Sequence, residues 1–295
     1  MELRMITDAV GYIPDAVNIG VIRDGSEAIL VDTGLDKGTA KEILRTLEGA
    51  GLTVKAIINT HHHADHIGGN AYIQNRTGAT IYASEIEAGL IESPILEPTY
   101  LFSGAAPLQG LRNRFLLAKP SKVDHVITGS KLAIGGVEVD IVGLAGHSPN
   151  QIGVGVDGVL FCADTVFSMR VVENYKLPFV QDVVGLKESL RILKESKYDC
   201  YVPSHAGVKE DITELADENL GAILGIEAMV LDLLEEPRTT EGVLAGLCAA
   251  TGLEVSRAQA YYLNNTLTMA YLSSLESGGR VKTLFRGNLL YWERT

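Results

Sequence analysis

Four of the chain's seven histidines, His61, His62, His63 and His66, fall within six positions of the stretch NTHHHADHIGG, Asn59 to Gly69. The preceding VKAIIN is a short β-branched and apolar run that reads as a buried strand. The cluster therefore begins just past a strand's carboxyl end, where α/β sheets hold their ligands. Gly68-Gly69 then reads as backbone punctuation. Positions 61, 63 and 65 of an extended segment project to one side, because side-chain direction repeats every two residues. A turn beginning near Asp65 would swing His66 to a neighbouring position, whereas His62 points away and is left out. Imidazoles and a carboxylate gathered in this way suit zinc, and also iron or manganese.

The rest of the chain supplies a scaffold of matching type. VNIGVIRDGSEAILVDTG reads as two strands about an Asp24-Gly25 turn, and KLAIGGVEVDIVGL and IGVGVDGVLFCADT as further hairpins. GTAKEILRTLEGAG and VVGLKESLRILKE are amphipathic helices, and YDCYVPSH is a last strand. Hairpins mixed with crossover helices predict an α/β architecture of two mixed sheets with helices outside. Residues 85–123 break this rhythm with four prolines and no lasting period, the mark of an irregular insertion that can serve as a lid. Within it Tyr100, Phe102 and Phe115 offer an apolar lining, and Arg112, Arg114 and Lys119 offer anion anchors. Residues 211–295 read as three helices and a hairpin about Arg286-Gly287, the outline of a winged-helix unit, with Thr239 or Thr240 as a helix N-cap.

Charge and cysteine usage exclude several classes. A net charge of -12, with 12 acidic against 6 basic side chains in 211–295, disfavours nucleic acid as a partner. Cys162, Cys200 and Cys248 are too sparse for a disulfide framework, which fits a reducing compartment. No signal-peptide pattern opens the chain and no apolar run approaches the ~20 residues of a membrane span, so a soluble cytoplasmic protein is expected.

Three isolated residues each follow a strand-like run beside a turn signal: His147 in VGLAGHSPNQIGV, Asp164 in VLFCADTVFS and His205 in CYVPSHAGV. Taken singly each reads as structural. Together with VDTG at Val31 to Gly34 and THHHADHIGG, and in this order, they resemble the metallo-β-lactamase superfamily over about residues 1–210. The resemblance implies an αβ/βα sandwich with a site along one edge, followed by a helical, winged-helix-like region at 211–295. It further implies two divalent metals per chain, zinc above all: one held by His61, His63 and His147, the other by Asp65, His66 and His205, with Asp164 bridging. Asp32 is expected to orient a ligand histidine from behind. Ala163, Asn150 and Ser204 depart from the family's usual glycines, small-for-small changes that leave every ligand in place. His125 reads as a strand-edge residue.

A water shared by two metals becomes a hydroxide nucleophile near neutral pH, so the implied activity is hydrolysis, with Asp65 also handling a proton. The glyoxalase-II-like and thioesterase-like members are most similar, which implies an ester or thioester of a small molecule. An endoribonuclease or phosphodiesterase is the first alternative. A metal-binding regulator without turnover is the second. The expected partners are a small-molecule substrate and, across the C-terminal helices, a second copy in a homodimer, with no membrane involved.

Overall fold

The computed structural model describes residues 1–295. The first half lays down β1 (Arg4–Met5), β2 (Val10–Ile13), β3 (Ile19–Asp24), β4 (Glu27–Val31), α1 (Lys37–Gly49), β5 (Thr53–Ile58), α2 (Ala64–Ile67), α3 (Asn70–Thr77), β6 (Thr80–Ala83), α4 (Glu85–Glu92), α5 (Leu96–Leu101) and β7 (His125–Val126). Its seven strands pair in chain order, antiparallel from β1 to β4 and parallel from β4 to β7. The second half contributes β8 (Lys131–Ile134), β9 (Val137–Gly143), β10 (Ile152–Val156), β11 (Val159–Phe167), α6 (Met169–Tyr175), α7 (Val183–Glu195) and β12 (Cys200–His205). These strands form a five-stranded sheet, antiparallel except where β12 runs parallel to β11. Two mixed sheets flanked by helices is the architecture expected.

The apolar runs are continuous because both faces of each sheet are covered. Along β4, Ala28 and Leu30 pack outward with Ala40, Ile43 and Leu47 of α1, while Ile29 and Val31 pack inward. Along β11, Val159 and Phe161 meet that same inner layer, and Leu160 and Cys162 face the helices of the second half. The period of two thus sorts neighbouring residues into separate cores. Four layers result: helix, sheet, sheet, helix.

The C-terminal stretch folds as α8 (Thr213–Leu233), α9 (Thr240–Thr251), α10 (Ala258–Ser277), β13 (Val281–Arg286) and β14 (Leu289–Arg294). Thr239 caps α9, its hydroxyl accepting from the Gly242 amide at 3.1 Å. The final hairpin turns through Gly287 and Asn288, both at positive φ, as a two-residue type I′ turn requires. Ile223, Val230, Leu247, Tyr271 and Leu272 share one 27-residue core with Leu144, Leu160 and Leu190 beneath the second sheet. No helix is long and apolar enough to cross a membrane.

Residues 85–123 are less irregular than the proline content predicts. They hold α4, α5 and a 3-10 turn at Gln109–Leu111. Pro98 stands in the first turn of α5, where a missing N–H costs nothing. Leu101, Leu111 and Leu116 then close a small core against Tyr262 and Leu263 of α10.

Candidate metal centre

Four of the seven candidate ligands stand at strand ends or in the loops that follow them, and Asp65 and His66 lie on the short helix α2. Asp164 alone sits inside a strand. The His61–His66 segment follows β5, His147 lies between β9 and β10, and His205 ends β12. The backbone of β11 bulges between Phe161 and Phe167, and Ala163 takes a φ of 52°, a left-handed conformation that turns Asp164 out of the pleat. An alanine there bears strain that a glycine would not. The chain turns helical from Ala64, one residue ahead of the turn expected near Asp65, and His63 is the extended N-cap residue.

Nitrogens and oxygens of His61, His63 and His147 converge within 4.8 Å of one another, as do those of Asp65, His66 and His205. Asp164 stands between the two groups. Its Oδ2 lies 3.4 Å from His147 Nε2 and 3.3 Å from His205 Nε2, and its Oδ1 lies 3.2 Å from His66 Nε2. His63 Nδ1 and His147 Nε2 are 2.9 Å apart, and His205 Nε2 is 3.5 Å from Asp65 Oδ2. Donors about 2.0–2.1 Å from a tetrahedral zinc lie roughly 3.3 Å from each other, so these spacings fit a coordination shell. His61 Nε2, His66 Nε2 and Asp164 Oδ1 are buried and have no hydrogen-bond partner. Orphaned lone pairs are costly in a protein interior, and a cation satisfies all three.

The other imidazole nitrogens explain why the lone pairs aim inward. His147 Nδ1 donates to the Phe179 carbonyl at 3.1 Å and His205 Nδ1 to the Ala16 carbonyl at 3.0 Å. His66 Nδ1 donates to Asp32 Oδ2 at 2.8 Å. Thr60 gives its hydroxyl proton to Asp32 Oδ2 at 2.7 Å, which leaves its oxygen to accept from His61 Nδ1 at 3.0 Å. In all four rings Nδ1 holds a proton against a fixed acceptor and Nε2 faces the centre, free to present a lone pair once any second proton is released. Asp32 is buried at a positive φ of 64° and also accepts from the Thr60 amide, so it sits behind the ligands as a fixed acceptor.

Electrostatics divide the two groups. Burial and mutual repulsion among imidazoles push His61 and His63 well below the usual histidine range, and burial lowers His147. Burial opposes protonation of His66 and His205 too, but the surrounding carboxylates outweigh it. Asp164, Asp32 and Asp65 hold His66 well above its ordinary value, and Asp164 and Asp65 raise His205 to about 10. Against its own burial, Asp164 is held well below the usual carboxylate range by His205 and His66.

A cavity of about 460 Å³ opens over the centre, lined by His63, Asp65, His147, Asp164 and His205 among 20 residues. Glu97 of α5, Phe115 and Leu116 of the insertion, and Gln259 and Leu263 of α10 form its outer wall. Asn113 Nδ2 donates to Gln259 Oε1 at 3.0 Å and joins the insertion to α10. Arg112, Arg114 and Lys119 lie outside the lining; Arg114 reaches towards Asp36 at 3.9 Å instead. Phe102 packs on Tyr262, and Tyr100 is turned away from the cavity, 3.1 Å from His62 Nε2. His125 is exposed on β7, stacked on Tyr82.

Two carboxylates escape sequence reasoning. Glu87 is fully buried and accepts from the His62 amide at 3.0 Å, His62 Nδ1 at 2.5 Å, Ser148 Oγ at 2.7 Å and the Asn150 amide at 2.8 Å. The available signal is its position three and four residues before Leu90 and Ile91, on the apolar face of α4. Glu97 is 4% exposed and lines the cavity. No local pattern marks it.

The family model of the metallo-beta-lactamase superfamily matches residues 12–205. This chain belongs to the metallo-β-lactamase superfamily. Among its relatives within the superfamily, a hydroxyacylglutathione hydrolase of Albidiferax ferrireducens is 30% identical over 155 residues, which cover 51% of this chain and 48% of that protein. Another of that name from Vibrio campbellii is 28% identical over 166 residues, 56% of this chain and 54% of the relative. The chain thus matches about half the length of these relatives. A solved metallo-beta-lactamase family protein from Thermus thermophilus shares the superfamily fold over 99% of this chain and 100% of its own, with a TM-score of 0.76 at 20% identity. A beta-lactamase domain protein from Burkholderia ambifaria follows with a TM-score of 0.73 at 17% identity, over 99% of this chain and 95% of its own.

Proposed function

We propose that this superfamily member is a dinuclear-metal hydrolase that cleaves the ester or thioester of a small molecule. One observation carries the reading: two groups of three donors share Asp164 at the floor of a cavity, with three of their buried polar atoms unpartnered. Relatives named hydroxyacylglutathione hydrolase support an acyl compound as the substrate. Zinc matches the imidazole-rich donor set, which iron and manganese also accept.

Two divalent cations, when bound, supply an activated water and polarise the carbonyl under attack. The chain's own residues do the rest. Phe167 and Phe179 pack against His147 and exclude bulk water from that side. Water adds across the acyl bond: its oxygen ends on the carbonyl carbon, the C–S or C–O bond breaks, and a proton ends on the departing atom. Asp65, half-buried and 3.5 Å from His205 Nε2, is positioned to carry that proton. We read 85–123 as the outer cover of the site and 211–295 as an appended unit whose α10 supplies a wall.

Metal content and turnover measured on one sample test the reading. Two metals per chain and metal-dependent cleavage of thioesters or aryl esters are expected. His63→Ala is expected to lose about 10³-fold or more in kcat/KM. Cleavage of a bis-aryl phosphodiester or RNA alone would favour the phosphodiesterase alternative. An Asp65→Asn protein that keeps both metals and full turnover would remove Asp65 from the proton-carrying role.

Proton release separates the two groups. At pH 7 the lowered imidazoles of His61, His63 and His147 are already neutral, so filling that group releases no proton from them. His66 and His205 are raised and charged, so the second group releases one proton from each. Affinity there climbs as pH approaches about 10, the value for His205, while affinity at the three-histidine group stays flat above about pH 6.5. Calorimetric zinc titration in buffers of different ionisation enthalpy reads this directly. Equal proton counts for the two steps would contradict it.

A further inference from the structure

Beside His63 the cavity wall carries a carboxyl that is not among the seven candidate ligands. Glu97 is buried, lines the cavity, and receives no hydrogen bond from any protein donor. Its carboxyl lies within 4.8 Å of His62 and His63 nitrogens. His62 is already committed to Glu87 and Tyr100, so it does not satisfy Glu97. A buried carboxyl without a partner is expensive, and in either protonation state it keeps an oxygen that can accept a hydrogen bond. Half of the 20 lining residues are apolar, among them Val17, Leu35, Phe115, Val171, Phe179 and Leu263; Asp15, Tyr175 and Gln259 add polar groups, and no lysine or arginine is present.

We propose that Glu97 selects the substrate by accepting a hydrogen bond from a hydroxyl close to the scissile carbonyl, on an uncharged, apolar acyl compound. The inference rests on the hydrolase reading for its reacting group. Because Glu97 lies within 4.8 Å of a His63 nitrogen, the hydroxyl it would meet belongs close to the carbonyl, on the second or third carbon of the acyl chain. A substrate lacking it leaves the carboxyl unpaired, the situation in which polar sites discriminate most strongly. A leaving group bearing carboxylates or phosphates finds no guanidinium or ammonium in the cavity and loses hydration on entry. Glutathione and coenzyme A thioesters are therefore the poorer substrates.

The test uses the metal-loaded full chain with phenyl thioesters of hexanoic, 2-hydroxyhexanoic and 3-hydroxyhexanoic acid, and the glutathione thioester of the best of them. One hydroxyacyl compound is expected to exceed the hexanoyl compound in kcat/KM by about 10–100-fold. Glu97→Leu is expected to abolish that ratio with metal content unchanged, and Glu97→Gln, which keeps an acceptor oxygen, to restore part of it. The phenyl thioester is expected to outrun the glutathione thioester about tenfold or more. A ratio that survives Glu97→Leu, or faster turnover of the glutathione compound, overturns the proposal.

Binding of the non-hydrolysable hydroxyhexanamides against hexanamide, by calorimetry, is independent of turnover. A hydroxyl preference lost in Glu97→Leu, with no hydrolysis of any thioester, would sink the hydrolase reading and leave the role of Glu97 standing. Equal binding of both amides by the wild-type protein would overturn that role.

Discussion

Replacing Glu87 by leucine is expected to lower the stability of the metal-free protein by about 3 kcal/mol or more, since each buried donor left unpaired costs about 1–3 kcal/mol. The carboxylate is fully buried and ties two ligand-bearing segments together, accepting from His62 on one and from Ser148 and Asn150 on the other. Leucine fills a similar volume but leaves four donors without an acceptor, three of them buried. His61 and His63 flank His62, and His147 precedes Ser148, so the loss spreads into the three-histidine group. Metal affinity is expected to fall at least about 10–100-fold, the usual range for residues that orient ligands. Chemical denaturation of the apo protein and competition with a chelator measure the two effects separately. Glu87→Gln, with one acceptor oxygen retained, should lie between. A leucine variant as stable as the parent would show that the clamp is dispensable.

Gly68→Ala is expected to destabilise by about 3 kcal/mol or more, at the upper end for overpacking. The reason is space and not backbone freedom, since the Gly68 backbone is right-handed helical, with φ at -61°. A Cβ added there would stand 1.7 Å from the Leu35 carbonyl oxygen and 2.7 Å from that of Ala64, both backbone atoms that cannot rotate aside. At Gly69 it would stand 2.4 Å from the Thr33 carbonyl oxygen. The pair lets the loop after β4, which carries Asp32, run directly against the end of α2, the helix that carries Asp65 and His66. Gly49→Ala is the control. It lies exposed in α1, where an added methyl would meet no atom within 4 Å, and alanine there should stabilise by about 0.5–1 kcal/mol through helix propensity. Thermal unfolding of the two variants beside the parent gives both signs in one experiment.

The contrast between these glycines marks where local sequence stops being informative. Gly68-Gly69 reads as punctuation, yet its purpose lies in a contact with a loop over thirty residues away. The strands were legible because burial on both faces leaves unbroken runs such as Ala28–Val31 and Ala56–Ile58, bounded by turn residues. The His61–His66 motif was legible because one strand end brings its side chains together locally. Glu87 and Glu97 were not, since their surroundings are assembled from segments far apart in the chain. The helices within 85–123 were hidden by prolines that read as breakers, although Pro98 falls in a first turn where it is harmless. The tautomers of His147 and His205 depend on the carbonyls of Phe179 and Ala16, and no side-chain pattern encodes a carbonyl.

The cavity has two walls written in different parts of the gene. One is built from strand ends whose geometry is fixed by shared acceptors such as Asp32, so change there is punished at once. The other is contributed by α5, the residues around Phe115 and the first turns of α10, which supplies Gln259 and Leu263. Natural selection can therefore edit the outer wall freely while the reactive floor is inherited intact. Duplicated copies of such a gene would diverge first in what they admit and last in what they do to it.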